Sequence, residues 1–207
     1  MIHHFSQSLR HERKQAAKAD AFYTNVLSAS EIIRFNTDSE ADMEMQRQDV
    51  DLLLKINDIT YRVSEKFRDV DYDDFYIEVY SKFPQKMGWM HNGKPNAILY
   101  FTPNSVYWIT HKTLHTFCFE LLFKSFPDKW FTLLYQSQKS IVSKSVTIND
   151  KSFTLNLIQA YNWEAFRWRT LGVSVPFWVL EENGVKFRKY SLLEESSANA
   201  ASTGVIL

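Results

Sequence analysis

The segment Gln46–Arg68, QRQDVDLLLKINDITYRVSEKFR, determines how this chain folds. Every second residue is apolar in two short runs, Val50, Leu52, Leu54 and Ile56 and then Ile59, Tyr61 and Val63. This period of two is typical of β-strands. Asn57-Asp58 lies between the runs and suits a tight turn, because short Asx side chains bond the local backbone and tolerate left-handed dihedral angles. The segment therefore predicts a β-hairpin.

The open ends of this hairpin carry charged residues that the fold brings together. Asp51 stands at the start of the first strand, and Glu65 and Lys66 stand near the end of the second. Two acids can hold a divalent cation through oxygen ligands, while a nearby lysine orients a nucleophile or a phosphate. The pattern predicts a metal and phosphate site. The alternative is that these charges mark strand ends that reach solvent.

Length and composition favour one domain. The chain has 207 residues, of which 45% are hydrophobic and 15% aromatic, enough for one sizeable core. We predict a single domain over residues 1–190 and a flexible tail over residues 191–207, where Ser, Ala and Glu dominate. Lys and Arg total 24, as do Asp and Glu, so the net charge does not indicate nucleic-acid binding, although local basic patches remain compatible with it.

Cysteine content and hydropathy exclude other classes. Cys118 is the only cysteine, which excludes a disulfide framework and a thiolate zinc site. The N-terminus lacks the apolar core of a signal peptide, and no apolar run approaches the length of a membrane span. We therefore expect a cytoplasmic protein with no membrane partner.

The remaining elements predict a mixed α/β fold with a central sheet flanked by helices. Residues 1–10 are expected to be frayed. The expected order is a helix at 11–27, a strand at 31–35, a loop or short Ser39-capped helix at 36–45, the hairpin, a helix at 75–83 stopped by Pro84, a hairpin at 97–110, a helix at 112–126, a hairpin at 140–158 turning at Asn149-Asp150, a short helix at 162–170 and a strand at 173–180 broken by Pro176.

Nine residues of this order resemble one branch of the PD-(D/E)XK nuclease superfamily. The pattern is Q-x-x-D-x-D, a short hairpin, E-K-x-R, a helix with a central Glu, and G-W, carried by Gln46, Asp49, Asp51, Glu65, Lys66, Arg68, Glu78, Gly88 and Trp89. The resemblance covers about residues 10–110. It implies a restriction-endonuclease-like fold and Mg²⁺-dependent (or Mn²⁺-dependent) cleavage of DNA phosphodiester bonds, or a degenerate, inactive relative. It is compatible with a homodimer.

The resemblance also implies a role for each site residue. Asp51, Glu65 and Lys66 would be catalytic. Asp51, Glu65 and Glu78 would hold the metal, and Gln46 and Arg68 would contact substrate. Structural alternatives exist for two of them. Glu78 could form a helix pair with a residue four positions away, and Arg68 could pair with the acids of residues 69–74.

The register of the motif departs from the superfamily, whose acid and lysine lie two residues apart and share one face of the strand. Glu65 and Lys66 are adjacent and therefore point to opposite faces unless a bulge intervenes. If Lys66 is the motif lysine, Ser64 occupies the acid position and Glu65 or Glu78 must substitute. If Glu65 is the motif acid, Phe67 occupies the lysine position and Lys66 or Arg68 must reach round.

Two further groups of residues have both functional and structural interpretations. His111 and His115 lie four apart and could chelate a metal, although a helix start explains them equally. Aromatic and basic residues interleave at Trp163, Phe166, Arg167, Trp168 and Arg169, which suits base stacking but also an amphipathic helix. One alternative to a nuclease is a non-catalytic module that binds protein or nucleic acid, which is favoured if Asp51, Glu65 and Lys66 point to different faces. A third possibility is a phosphodiesterase that acts on nucleotides, which would need an enclosed base pocket.

Overall fold

The computed structural model of this chain describes residues 5–127, 129–163 and 167–192. Its helices are α1 (Phe5–Asn25), α2 (Glu40–Arg47), α3 (Trp89–Asn92), α4 (His111–Thr116), which continues as a π-helical segment (Phe117–Leu122), α5 (Lys129–Gln136) and α6 (Phe177–Glu182). Its strands are β1 (Glu31–Arg34), β2 (Leu52–Ile56), β3 (Ile59–Phe67), β4 (Asp74–Lys82), β5 (Lys86–Met87), β6 (Ala97–Phe101), β7 (Ser105–Thr110), β8 (Ile141–Ile148), β9 (Lys151–Trp163), β10 (Arg167–Pro176) and β11 (Phe187–Ser191).

The strands form two sheets. Sheet A has six strands in the order β1-β2-β3-β6-β7-β11 and is mixed, because β3 runs parallel to β6. Sheet B has five antiparallel strands in the order β5-β4-β10-β9-β8. The mixed α/β class is therefore confirmed. The prediction of one central sheet is wrong, since β4 and β5 leave the first sheet and pair with β8–β10 in a second one.

The hairpin of β2 and β3 forms as the sequence predicts. Leu52 pairs with Val63 and Ile56 with Ile59, and the connecting residues Asn57 and Asp58 have positive φ angles of 48° and 62°. Two successive positive φ angles give the turn a twist that matches the twist of the strands. The same turn recurs at residues 149–150 between β8 and β9.

Each face of sheet A packs in a different hydrophobic core. On one face α1 packs through Ala19, Phe22 and Tyr23 against β2, β3 and β6. The other face contributes residues of β6 and β7 to a larger core that it shares with sheet B and with α4–α6. Val63 belongs to the α1 core. Because side chains alternate along a strand, Glu65 points to the α1 side, and Ser64 and Lys66 point to the opposite side.

The segment after the hairpin folds as strand β4, so the helix predicted at residues 75–83 is wrong. Phe75, Ile77 and Val79 are buried on one face of β4, which pairs with β10 a hundred residues later. The segment is apolar at most positions and fits both the period of a strand and that of a helix, so the distant partner decides which of the two forms. Glu78 therefore lies on a strand, and the helical pairing considered for it does not arise.

Other boundaries also differ from expectation. The helix predicted at residues 162–170 is wrong in its described part, because β9 continues to Trp163 and β10 begins at Arg167, and residues 164–166 lie outside the described residues. Pro176 ends β10, and α6 follows where strand was predicted to continue. Residues 5–10 are helical where fraying was predicted, and residues 1–4 lie outside the described residues. Ser39 caps α2 as predicted, by accepting a bond from the Asp42 backbone N–H.

The domain boundaries stay a prediction, and residues 193–207 lie outside the described part of the chain. No helix within the described ranges is both long enough and apolar enough to cross a membrane.

Candidate active site

Asp49 and Lys66 form the centre of the site. Helix α2 ends at Arg47, and the positive φ of Asp49, 55°, turns the chain toward β2. Lys66 Nζ on β3 donates to Asp49 Oδ1 at 2.8 Å, and Ser64 Oγ donates to Asp49 Oδ2 at 2.7 Å. The side chains of Lys66 and Asp49 are only 23% and 19% exposed. A salt bridge this enclosed keeps both groups in fixed positions.

Asp51 lies beside this pair. Its backbone N–H donates to the Val63 carbonyl at 2.8 Å, which extends the hairpin by one residue. Its Oδ2 accepts from the Glu65 backbone N–H at 2.7 Å and lies 3.3 Å from Ser64 Oγ. Asp49 and Asp51 thus both lie within hydrogen-bonding distance of one hydroxyl oxygen.

Glu78 on β4 approaches the same place from sheet B. The backbone N–H of Trp89 donates to its carboxylate, and the charge of Lys66 acts on it. A Cβ on Gly88 would lie 2.4 Å from the Glu78 carbonyl oxygen, so only glycine permits this close approach. The ring of Trp89 lies under the Lys66 ammonium, 5.1 Å from nitrogen to ring centroid. We call Asp49, Asp51 and Glu78 the carboxylate cluster.

Glu65 does not belong to the carboxylate cluster. Its carboxylate faces α1, where it accepts from Tyr23 Oη at 2.5 Å and from Arg34 Nη1 at 2.7 Å. Arg34 also binds Asp20 of α1 at 2.7 Å. Glu65 therefore serves to fasten β1 and α1 to sheet A.

This arrangement answers the register question for the side chains. Lys66 points toward the carboxylate cluster, and Ser64 occupies the acid position of the motif. This is the alternative in which Lys66 is the motif lysine, and Glu78 is the acid that lies near it. The site expected from Asp51, Glu65 and Lys66 is not assembled as a trio, because Glu65 lies on the other face of β3. Asp49 belongs to the motif, but the resemblance implied no role for it. The D-x-D spacing indicates that Asp49 shares a site with Asp51.

The carboxylate cluster has three acids for one lysine. Burial raises the pKa of the Asp51 carboxyl above its ordinary value, and the Asp49 charge adds to this rise while Lys66 opposes it. Burial likewise raises the pKa of Glu78, again opposed by Lys66. Burial alone would lower the pKa of Lys66, but the charges of Asp49 and Asp51 help to raise it above its ordinary value. Lys66 is therefore a firmly charged ammonium, and burial makes Asp51 and Glu78 harder to ionise.

The two predicted substrate contacts lie outside the cluster. Gln46 donates through Nε2 to the Phe35 carbonyl at 2.7 Å, which ties α2 to the end of β1. Arg68 donates through Nε to Tyr100 Oη at 2.8 Å, and its Nη2 lies 3.7 Å from Asp74 Oδ1. Arg68 comes directly after the last residue of β3, whereas Gln46 lies in α2.

The two other candidate groups lie outside the carboxylate cluster. His111 begins α4 with its ring buried, 5.8 Å from the ring centroid of His115. The Arg169 guanidinium stacks between Tyr135 and Tyr161 at 4.5 and 4.4 Å from the ring centroids. Phe166 lies outside the described residues, as do the side chains of Trp163 and Arg167.

Carboxylate oxygens are the ligands that Mg²⁺ and Mn²⁺ prefer, so the chemistry of the cluster fits such a cation. Within residues 5–127, 129–163 and 167–192, however, no three His, Cys, Asp or Glu side chains converge on one point at ligand distance. Asp49 and Asp51 are brought together by their shared neighbour Ser64.

Comparison of the chain with protein-family models, with curated proteins and with solved structures finds no match.

Proposed function

We propose that this chain is a metal-dependent nuclease that hydrolyses phosphodiester bonds in DNA, as a divergent PD-(D/E)XK protein of restriction-endonuclease-like fold acting in the cytoplasm. One observation carries the proposal: three partly buried carboxylates share a single lysine. Burial raises the pKa of Asp51 and of Glu78 although the charge of Lys66 opposes it, so one lysine does not offset the cost of ionising both acids. A divalent cation supplies the missing charge.

Each residue of the site has a distinct role in this proposal. Asp49 and Asp51 would hold Mg²⁺ or Mn²⁺, with Glu78 as the third acid. The bound cation would activate water and neutralise charge on the phosphate. The Lys66 ammonium would bind a phosphate oxygen or orient the attacking water, because Asp49 and Trp89 hold it at a fixed position. Ser64 would keep the two aspartates together.

A non-catalytic module that binds DNA or protein is the second candidate, and a specific observation favours it. Ser64 occupies the acid position beside Lys66, and Glu65 points to the opposite face of β3. A hydroxyl is a poorer ligand for a hard cation than a carboxylate. A degenerate site of this kind would bind a phosphate through Lys66 without cleaving it.

Cleavage of linear double-stranded and single-stranded DNA, measured with Mg²⁺, with Mn²⁺ and with EDTA, tests the proposal. We expect cleavage that requires metal and that falls about 100-fold or more in Asp51→Asn, since this removes a group that stabilises transition-state charge. Asp58→Asn is the matched control, because Asp58 lies in the turn of the same hairpin with its side chain 97% exposed.

The outcomes separate the candidates. Metal-dependent cleavage that survives in Asp51→Asn overturns the site assignment. Absence of cleavage with DNA binding retained, and weakened by Lys66→Met, supports the non-catalytic module. Absence of both cleavage and DNA binding overturns the proposal of a DNA-acting protein.

A further inference from the structure

A cavity of about 400 Å³ lies on the α1 side of sheet A, on the face of β3 opposite Lys66. Helix α1 ends at Asn25, and the residues that follow, Val26 and Leu27, form one wall. The turn of the hairpin contributes Ile56 and Asn57. Because α1 does not extend over the turn end of the sheet, aromatic side chains there are only half-buried. Cavities of this size accept small organic ligands.

The floor of the cavity is aromatic. Tyr61 of β3 and Trp108 of β7 meet edge to face, with ring centroids 5.1 Å apart and planes at 90°. Tyr190 of β11 lies beside them and packs edge-on against Phe22 of α1 at 5.4 Å. The contact with Phe22 fixes the Tyr190 ring from behind. A planar ring can stack on one of these two perpendicular rings while its edge meets the face of the other.

One cation stands at the rim. Arg188 pairs directly across from Trp108 in the β7–β11 ladder, and its guanidinium lies 5.0 Å from the Tyr190 ring centroid. Neither aspartate nor glutamate lines the cavity. No carboxylate of a described residue lies within ion-pair distance of Arg188. Its fork of N–H groups is therefore open to an anion and suits phosphate or carboxylate oxygens.

We propose that this cavity binds a nucleotide, with the base on Tyr61 and Trp108 and the phosphate on Arg188. An aromatic floor beside a single guanidinium matches a ligand that joins a flat ring to an anion, and the Asn57 amide can bond the base edge. The nucleotide is either a free mononucleotide or the 5′-phosphorylated end of a nucleic-acid strand. This site is separate from the carboxylate cluster and does not depend on the proposed nuclease activity.

Calorimetric titration of the full chain with AMP, adenosine, inorganic phosphate and a 5′-phosphorylated oligonucleotide tests the inference. We expect AMP to bind about tenfold more tightly than adenosine, because a charge-assisted contact between Arg188 and the phosphate adds about this much affinity. Inorganic phosphate alone should show no detectable binding. Arg188→Ala should abolish the preference for AMP over adenosine, and Tyr61→Ala should weaken the binding of both AMP and adenosine. Asp51→Asn should bind AMP as the unmodified chain does, whether or not it cleaves DNA.

Lys189→Ala is the matched control, because it removes one positive charge from the same strand while Lys189 lies over Tyr107 of the other core. It should leave AMP binding within about twofold of the unmodified chain, since its charge is screened by solvent. Competition between AMP and the oligonucleotide would show that the cavity binds the end of a strand. Binding of AMP without binding of the oligonucleotide would show that the ligand is a free nucleotide. Equal affinity for AMP and adenosine, no binding of AMP, or equal losses in Arg188→Ala and Lys189→Ala would overturn the inference.

Discussion

Lys66 Nζ lies 2.8 Å from Asp49 Oδ1, so an ammonium on β3 is bound to the carboxylate that precedes β2. Both side chains are largely withdrawn from water, and Trp89 covers the lysine. This ion pair places positive charge at the carboxylate cluster. It also makes the stability of the fold dependent on that charge.

Lys66→Met should lower the free energy of unfolding at pH 7 by about 2 kcal/mol, because it leaves enclosed carboxylates without their cation. Millimolar Mg²⁺ should recover part of this loss, since a cation would replace the ammonium. Urea unfolding with and without Mg²⁺ measures both effects. Lys55→Met is the control, because Lys55 pairs with the exposed Asp58 and should cost less than about 0.5 kcal/mol. Equal losses in the two variants would contradict the enclosed pair.

Glu65→Gln should destabilise the fold by about 2–3 kcal/mol without changing the carboxylate cluster. The glutamate side chain is 6% exposed and receives bonds from Arg34 and Tyr23, so neutralising it leaves the Arg34 charge poorly compensated. Urea unfolding measures the stability, and a Mn²⁺ titration of the folded variant measures metal affinity. Glu31→Gln, on the exposed end of β1, should be nearly neutral. Loss of metal affinity with unchanged stability would place Glu65 in the site instead.

Glu78→Gln should stabilise the protein at pH 7. Burial raises the pKa of Glu78 above its ordinary value of 4.5, so the folded state binds its proton more tightly than the unfolded state does. The stabilising contribution of that proton is complete below pH 4.5 and is lost as the pH rises through the folded-state pKa. The variant should therefore gain thermal stability at pH 7 and match the unmodified protein near pH 4.

Thermal unfolding at both pH values checks this expectation. Glu181→Gln is the control, because Glu181 is exposed and should change the unfolding temperature little at either pH. A variant that is less stable than the unmodified protein at pH 7 would show that Glu78 is already compensated. Such a result would remove the main support for a cation at the cluster.

His111 should make the fold sensitive to acid. Burial, with the nearby His115 charge, lowers the pKa of His111 to about 4 from an ordinary value of 6.5. The folded state thus keeps the ring neutral, and its stabilising contribution, present above pH 6.5, is lost as the pH falls toward 4. Between pH 7 and pH 5 this amounts to on the order of 2 kcal/mol.

His111→Leu should remove this part of the pH dependence. Urea midpoints at pH 7 and pH 5 measure it, and the difference between them should shrink in the variant. His115→Gln is the comparison, since it removes the neighbouring charge and should reduce the difference less. An unchanged pH dependence in His111→Leu would assign the acid sensitivity to other groups, such as His91, whose pKa burial also lowers.

The fold was predictable wherever local signals agreed. The Asx turns of the two hairpins and the Ser39 cap depend on residues close in sequence, and each forms as expected. Strand β4 was not predictable in this way. Its partner β10 lies about a hundred residues away. Without that partner, an apolar segment is compatible with both a strand and a helix.

Adjacent residues of a regular strand point to opposite faces, so Glu65 and Lys66 were predicted to do so unless a bulge intervened. Which face meets the carboxylate cluster depends on the elements that pack against β3. Helix α1 covers one face and supplies Tyr23, which with Arg34 of β1 binds Glu65. The return of the chain through β4 brings Glu78 to the other face. Local sequence sets the direction of a side chain, whereas its electrostatic environment depends on elements distant along the chain.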